Sequence, residues 1–254
     1  MRDFTLRAFE LLLDKLVEQG QNFVTFEQYC EKDVPDRYIM MRHDVDKCPE
    51  SALRVAKIEH RRNLRASYYF RAEGFERSIS IVREIVSLGH EIGYHYEDLS
   101  VARGNLQYAI VLFNRNLKML REFYPVKTIC MHGSPLSRYD NRSIWEHYDY
   151  RQFGVAGEPY LDIDFNEVIY LTDTGRRWDG TDYNVRDKVV SPLVHTYRST
   201  FDIVAGFGNG KLPQKAMITI HPHRWTQKVI PWLKELVWQN TKNVGKRYFI
   251  LRRR

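Results

Sequence analysis

The sequence has little cysteine and no long apolar run. Its 254 residues include three cysteines, Cys30, Cys48 and Cys130, which are too few and too scattered for a disulfide framework and form no CxxC pair. No stretch approaches the ~20 apolar residues that a helix needs to cross a bilayer. The first residues lead directly into an amphipathic pattern and lack the apolar core and cleavage site of a signal peptide. These absences predict a cytoplasmic protein without a transmembrane segment.

Basic charge is not concentrated in a long run. The net charge is +7, and Lys and Arg alternate with Asp and Glu over most of the chain, which argues against a dedicated nucleic-acid tail. Only Lys246-Arg247 and Arg252–Arg254 form basic clusters. A basic terminus is more often a solvated end than a binding element, although attraction to anionic glycans or membrane surfaces stays open. We expect no nucleic-acid partner.

Apolar strands alternate with amphipathic helices along the chain. The predicted strands cover residues 37–42, 66–70, 91–95, 128–131, 168–171 and 216–220. Helical periodicity separates most of them, and this alternation predicts a parallel sheet wrapped by helices. Residues 134 to about 184 have weaker periodicity and more Gly, Pro and Asp, so long loops are expected there, and a helix is expected over about 193–204. A chain of this length with 43% hydrophobic residues fits one α/β domain over residues 1–254.

Histidine and aspartate follow directly after several predicted strands. They comprise the run His43-Asp44-Val45-Asp46 and the residues His95, His132 and His221. Because the carboxyl ends of parallel strands lie on one face, these side chains are expected to converge. One such histidine alone is more often a hydrogen-bonding plug, but four segments together favour a metal site with a neighbouring acid and base.

The two aspartates and the last histidine pair indicate how the roles divide. Asp44 and Asp46 are two residues apart, so on a strand they point to the same side and repel one another unless a cation or a shared proton lies between them. This spacing suits one metal ligand and one general base. His221-Pro-His223 fits either a metal-binding pair or a general acid on the last strand.

Five blocks between Arg42 and Trp225 resemble the motifs of the polysaccharide deacetylases, carbohydrate esterase family four. They are Arg42-His-Asp-Val-Asp-Lys-Cys-Pro49, Gly89-His-Glu-Ile-Gly-Tyr-His95, Met131-His-Gly-Ser-Pro135, Asp173-Thr-Gly-Arg-Arg-Trp178 and Ile220-His-Pro-His-Arg-Trp225. The resemblance implies a distorted TIM-like (β/α) barrel with about seven parallel strands. It also implies Asp44 as the general base, Asp46 and His95 as metal ligands, and His221 as the general acid.

The blocks depart from the family pattern at two positions. The family's second metal histidine falls on Leu99 in this chain, and Glu97 is expected to replace it as a ligand, with His132 or a second water as the next candidates. The usual Arg of the third motif is absent, and His132 takes its place among the expected catalytic residues. Both changes resemble a divergent branch, similar to deacetylase-like proteins of surface-polysaccharide gene clusters.

The resemblance implies a hydrolase that removes N-acetyl or O-acetyl groups from a carbohydrate, with Zn²⁺ as the expected ion. Trp178, Trp225 and Arg176 are expected to contact the sugar, and Trp145, Tyr148 and Tyr160 are further aromatic candidates. Three other hypotheses stay open: another metal-dependent C–N hydrolase on the same fold, an inactive glycan- or metal-binding homologue, and, more weakly, a metal-dependent phosphohydrolase. The sequence leaves the oligomeric state open.

Overall fold

We describe a computed structural model of the chain. It describes residues 1–134, 137–178, 186–193, 195, 197–208 and 214–251, with no side chains for residues 246–251. Arg252–Arg254 and the side chains of Lys246-Arg247, which the sequence analysis identified as basic clusters, lie outside the described part, as does Pro135 of the third block.

The described residues form seven parallel strands in one sheet. The strands are β1 (Asn22–Val24), β2 (Tyr38–Val45), β3 (Ser67–Phe70), β4 (Glu91–Tyr96), β5 (Ile129–Met131), β6 (Ile169–Thr172) and β7 (Lys215–Ile220). Their order is β5-β4-β3-β2-β7-β6, and β1 pairs with the first half of β2. Every strand pair is parallel. The predicted α/β fold, a distorted TIM-like barrel with about seven parallel strands, is confirmed.

Helices connect the strands and cover the sheet. They are α1 (Leu6–Glu18), α2 (Phe26–Cys30), α3 (Pro49–His60), α4 (Ile79–Ser87), α5 (Asp98–Val101), α6 (Leu106–Arg121), α7 (Pro159–Asp162), α8 (Thr200–Gly208) and α9 (Val229–Leu251). Thr5 caps α1 through its side-chain oxygen, and Pro49 stands at the first turn of α3, where a missing N–H costs nothing. None of the described helices has the length and apolar character needed to span a bilayer.

The centre of the sheet is buried on both faces. All eight residues of β2 are buried because β3 and β7 flank this strand and helices cover it. Burial of this kind stabilises the fold at roughly 25 cal/mol per Å² of apolar surface. The three cysteines are free thiols.

The segment after β5 differs from the sequence expectation. It contains short 3₁₀ helices at Asn141–Glu146 and Tyr150–Phe153 rather than long loops alone. Each begins at an aspartate, Asp140 or Asp149, whose side chain accepts a backbone N–H. The helix expected over 193–204 begins at Thr200 as α8.

Candidate metal centre and active site

A polar pocket of about 340 Å³ opens at the carboxyl ends of the strands. Asp44 and Asp46 reach it from the end of β2, His95 from β4, His132 from the end of β5 and His221 from the end of β7. Five chemically active side chains from four strands thus share one pocket, as the parallel topology predicts.

Asp46, His95 and His132 bring three potential ligand atoms within 4.8 Å of one another. Oδ1 of Asp46 lies 3.4 Å from His95 Nε2 and 3.5 Å from His132 Nε2. This oxygen is buried and accepts no hydrogen bond. Burial alone would raise the pKa of Asp46, but His95, His132 and His221 lower the pKa well below its usual range, so the carboxylate is ionised.

The second nitrogen of each histidine is held by an oxygen. His95 Nδ1 lies 3.0 Å from the Cys130 carbonyl, which only accepts, so Nδ1 donates and Nε2 is the nitrogen that faces the pocket. His132 Nδ1 lies 2.8 Å from Glu97 Oε2. An Nδ1–H held by a carbonyl or carboxylate is the usual support of a metal-binding histidine, because it fixes the ring and the tautomer. One carboxylate and two such imidazoles form a donor set that suits Zn²⁺.

Glu97, predicted as a ligand, lies behind His132 rather than among the three clustered ligand atoms. Its other oxygen accepts a hydrogen bond of 2.7 Å from Arg71 Nε. Burial would raise the pKa of Glu97, but the contacts with His132 and Arg71 bring it down to about 2. In this structure Glu97 orients His132, and His132 takes the third position next to Asp46 and His95.

A second group of potential ligand atoms is formed by Asp44, His95 and Cys130. It suits a metal less well. Both oxygens of Asp44 already accept from Arg42, and burial raises the pKa of the Cys130 thiol well above its ordinary value. A neutral thiol is a poor ligand, because the thiolate is the form that binds metals.

Asp44 is held by Arg42 from its own strand. Arg42 Nε and Nη2 donate to the two oxygens of Asp44 at 3.0 and 2.8 Å, a bidentate geometry that fixes the carboxylate plane. Arg42 also donates to Tyr160 Oη at 2.8 Å. Asp44 Oδ2 lies 3.9 Å from His95 Nε2, so the fixed carboxylate stands beside the candidate metal position.

His221 is oriented by a buried aspartate, Asp173. Its Nδ1 lies 2.6 Å from Oδ1 of Asp173, and its Nε2 lies 3.9 Å from Oδ2 of Asp46. Trp225 Nε1 donates to the second oxygen of Asp173 at 2.7 Å. Burial would raise the pKa of Asp173, but Arg224 and His221 lower it, so an ionised Asp173 supports a proton on His221 Nδ1.

His43 does not reach the pocket, although the sequence analysis expected it to converge with the others. It follows Arg42 and precedes Asp44, and neighbouring residues of a strand point to opposite faces. Its Nε2 lies 2.7 Å from buried Glu59, and its ring stacks on Tyr68. His43 is fully buried on the helix-covered side of the sheet.

Three residues expected to contact sugar lie away from the pocket lining. Trp178 and Trp225 are 2% and 0% exposed and pack with Phe4 in the core. Arg176 stacks on Trp232 and donates to the Trp232 carbonyl at 2.9 Å. The indoles are large apolar side chains, and here their burial stabilises the core beneath His221. Of the aromatic candidates, Tyr160 lines the pocket.

Sequence reasoning assigned no role to Arg42, Asp173 or Arg71. Arg42 carried a usable signal, since it stands two residues before Asp44 on a predicted strand and therefore shares its face. Asp173 also follows a predicted strand, as the candidate acid His221 does. Arg71 follows β3 immediately, but nothing local indicated that it would hold Glu97.

Comparisons with known proteins are consistent with this architecture. No family model matches the chain, and no curated protein matches it. Among solved structures, a family-four carbohydrate esterase of Streptococcus mutans is 13% identical, with 91% of this chain and 89% of that chain covered and a TM-score of 0.50. One from Streptomyces lividans, in complex with acetate, is 15% identical, covers 84% of this chain and 91% of that chain, and has a TM-score of 0.42.

A third similar structure is a family-four pseudoenzyme from Bacillus anthracis. It is 14% identical and has a TM-score of 0.46, and the match covers 82% of this chain but 60% of that chain's length. The chain therefore spans less than two thirds of that protein. From the Streptococcus mutans structure we conclude that the chain has the fold of the family-four carbohydrate esterases.

Proposed function

We propose that the chain is a divergent member of carbohydrate esterase family four that removes acetyl groups from a carbohydrate, in a single catalytic domain over residues 1–254. One observation carries the proposal. Asp46, His95 and His132 gather three ligand atoms between a carboxylate fixed by Arg42 and a histidine fixed by Asp173. A metal ligand set flanked by a base and an acid is what hydrolysis of an amide or ester requires.

The residues present fit a divalent metal ion, and Zn²⁺ is the ion we propose. Asp46 Oδ1 is buried without a hydrogen bond, and the two imidazoles next to it hold their protons on Nδ1 against Cys130 and Glu97. A bound ion would polarise the acyl carbonyl and lower the pKa of a coordinated water. Asp46, His95 and His132 would hold it.

The remaining chemistry belongs to Asp44 and His221. Asp44 accepts the proton of the attacking water as the oxygen adds to the acyl carbon, and Arg42 keeps both carboxylate oxygens in place. When the C–N or C–O bond breaks, His221 Nε2 donates a proton to the departing nitrogen or oxygen. Asp173 keeps the other proton of His221 on Nδ1. The products are acetate and a free amino or hydroxyl group on the carbohydrate.

A carbohydrate substrate is supported by the pocket and by the shared fold. The cavity of about 340 Å³ is within the size range of small-ligand sites, and its walls are largely polar and charged side chains. Tyr160 contributes an aromatic face to this wall. Glycan metabolism at a cell surface is the context we propose.

The test is acetate release from a panel of N- and O-acetylated sugars, with two sets of variants. Asp44→Asn and His221→Gln should retain metal while kcat falls about 100-fold or more, because one proton transfer is lost in each. Asp46→Ala should lose metal and activity together, and His132→Ala should bind the metal so weakly that both are lost unless zinc is saturating. Lys215→Gln, on an exposed ion pair with Glu167 away from the pocket, is the matched control and should act as wild type.

Other results would replace the proposal. Release of a different acyl group or of ammonia from a small amide, with the same variant pattern, would identify another C–N hydrolase. Metal and glycan binding without turnover on any substrate would identify a binding protein. Full activity in Asp44→Asn would exclude the proposed general base.

A further inference from the structure

The C-terminal helix α9 presents its apolar residues to solvent. Six of the fourteen large hydrophobic side chains that are exposed in the described part of the chain lie on it: Val229, Ile230, Leu233, Val237, Trp238 and Val244. Ile230, Leu233, Val237 and Val244 follow one another at spacings of three, four and seven, so they share one face of the helix. We name these four residues and Trp238 the outer face of α9.

The inward side of the same helix carries polar side chains next to Trp232 and Leu236, which are partly buried. Among the side chains of α9 that the structure describes, Gln239 and Asn243 are the most buried, and Asn243 donates to the Gly175 carbonyl at 2.8 Å. A surface helix ordinarily buries its apolar stripe and exposes its polar one. In α9 the most buried positions are polar instead, and Ile230, Val237 and Val244 are 67%, 65% and 72% exposed. An apolar face of this kind indicates a contact outside the chain.

Charge identifies the kind of partner. Residues 229–254 contain seven of the chain's 39 Lys and Arg but one of its 32 Asp and Glu, so this segment carries +6 of the net charge of +7. A second copy would bring two such basic segments together, which is unfavourable. Nucleic acid would match the charge but leave the valines and the isoleucine uncovered. An anionic bilayer matches both properties, because headgroups attract the lysines and arginines while the acyl boundary takes up apolar side chains.

We propose that α9 docks on an anionic membrane surface through its outer face. The helix lies in the interface rather than across it, since α9, although 23 residues long, lacks the apolar character of a membrane-spanning helix. Trp238, which is 56% exposed, suits the headgroup boundary, where tryptophan is favoured.

Docking would place the pocket beside the bilayer. Gln239 and Lys242 of α9 line the pocket, and a helix with its side chains is about 10 Å across. The proposed deacetylase would then act on a glycan carried at the membrane surface, an extension that rests on the proposed function. The docking itself does not depend on catalysis.

The experiment is flotation of the full chain, without substrate, on vesicles of phosphatidylcholine alone or with about 30% phosphatidylglycerol. Wild type should float with the vesicles that contain phosphatidylglycerol and not with those of pure phosphatidylcholine. Its binding to the anionic vesicles should weaken about tenfold when salt is raised to roughly 0.5 M. The double variant Leu233→Glu/Val237→Glu should lose at least about tenfold in binding. Val101→Glu/Val111→Glu, which changes two valines that are 59% and 63% exposed elsewhere, should bind as wild type.

Circular dichroism and thermal unfolding establish that both double variants are folded. Absence of wild-type binding to anionic vesicles would overturn the proposal, and so would equal binding of the Leu233→Glu/Val237→Glu variant. A wild-type dimer in light scattering that this variant dissociates, without vesicle binding, would assign the outer face to a second copy. Asp46→Ala should bind vesicles normally, so loss of the proposed activity and loss of docking are separate results.

Discussion

At the scale of single residues, the centre consists of groups fixed in pairs. Asp44 is held by Arg42, His132 by Glu97, and His221 by Asp173. Each pair joins a group that faces the pocket to one that fixes its orientation or protonation. Removing the supporting member should therefore weaken a function without removing the atom that performs it.

A substitution of Glu97 tests whether this residue orients His132 or binds the metal itself. Glu97→Gln keeps the shape but replaces the carboxylate behind His132, and zinc affinity should fall about 10- to 100-fold in a competition titration with a chromophoric chelator. Glu73→Gln is the control, because Glu73 also pairs with Arg71 but is largely exposed and does not touch His132. Loss of metal as complete as in Asp46→Ala would make Glu97 a ligand, as the sequence predicted.

The buried carboxyl of Asp98 should make the free energy of unfolding depend on pH. It is 1% exposed, and burial raises its pKa to about 6 although Tyr94 and Asn116 donate hydrogen bonds to it. Its ordinary value is 3.8, so the folded state binds the proton more tightly. The stability from this group is present below its ordinary pKa and is lost as the pH rises through 6.

Relative to Asp98→Asn, wild type should therefore lose up to about 3 kcal/mol of unfolding free energy between roughly pH 4 and 7. Urea denaturation of both proteins across this range measures the difference. A difference that does not change with pH would show that Asp98 does not titrate in the folded protein.

At the scale of strands and helices, the residues at the strand ends were the part of the site that the sequence could predict. The alternation of apolar runs and periodic helices predicted β2, β3, β4, β5 and β7, and the parallel arrangement then placed Asp46, His95 and His221 on one rim. Whether Glu97 or His132 lies next to Asp46 and His95 depended on the register between β4 and β5. Tyr96 lies opposite Met131 in the β4–β5 pair, so Glu97 and His132 are the next neighbours, and nothing in the sequence fixes this alignment.

The dependence on long-range packing also explains why the structure places Trp178 and Trp225 away from the pocket lining. Trp178 and Trp225 stand in motif blocks, yet both are buried and their rings contact one another in the core. His43 is different, since strand alternation alone could have excluded it from the face that carries Asp44. The sequence did not allow the long-range packing of the indoles to be predicted, whereas the alternation of side chains along a strand could be predicted.

Gly93 tests the packing of β4. A Cβ at this position would overlap the Tyr69 ring and lie 3.1 Å from the Thr128 carbonyl oxygen. Gly93→Ala should lower the free energy of unfolding by about 1–3 kcal/mol, because both neighbours belong to the buried sheet. Chemical denaturation measures the loss. Gly245→Ala, with open space around it in α9, should be neutral or stabilising by up to about 1 kcal/mol, and equal effects of the two changes would contradict the account.

At the scale of the whole molecule, the fold gathers distant residues at one rim. Asp46 and His221 are far apart in the chain, but β2 and β7 are adjacent and parallel, which brings their ends together. The helix α9 then closes one side of the pocket with Gln239 and Lys242. The site therefore requires the complete sheet, and metal binding should raise the unfolding temperature because the folded state alone assembles the ligands.

The most direct test of the central claim is X-ray absorption at the zinc edge on stoichiometrically loaded protein. The account predicts two imidazole ligands in wild type, one in His132→Ala at saturating zinc, and two in Glu97→Gln. One imidazole in wild type, unchanged by His132→Ala, would contradict the assignment of His132 and favour Asp46, His95 and Glu97. No bound metal at all would contradict the candidate centre itself.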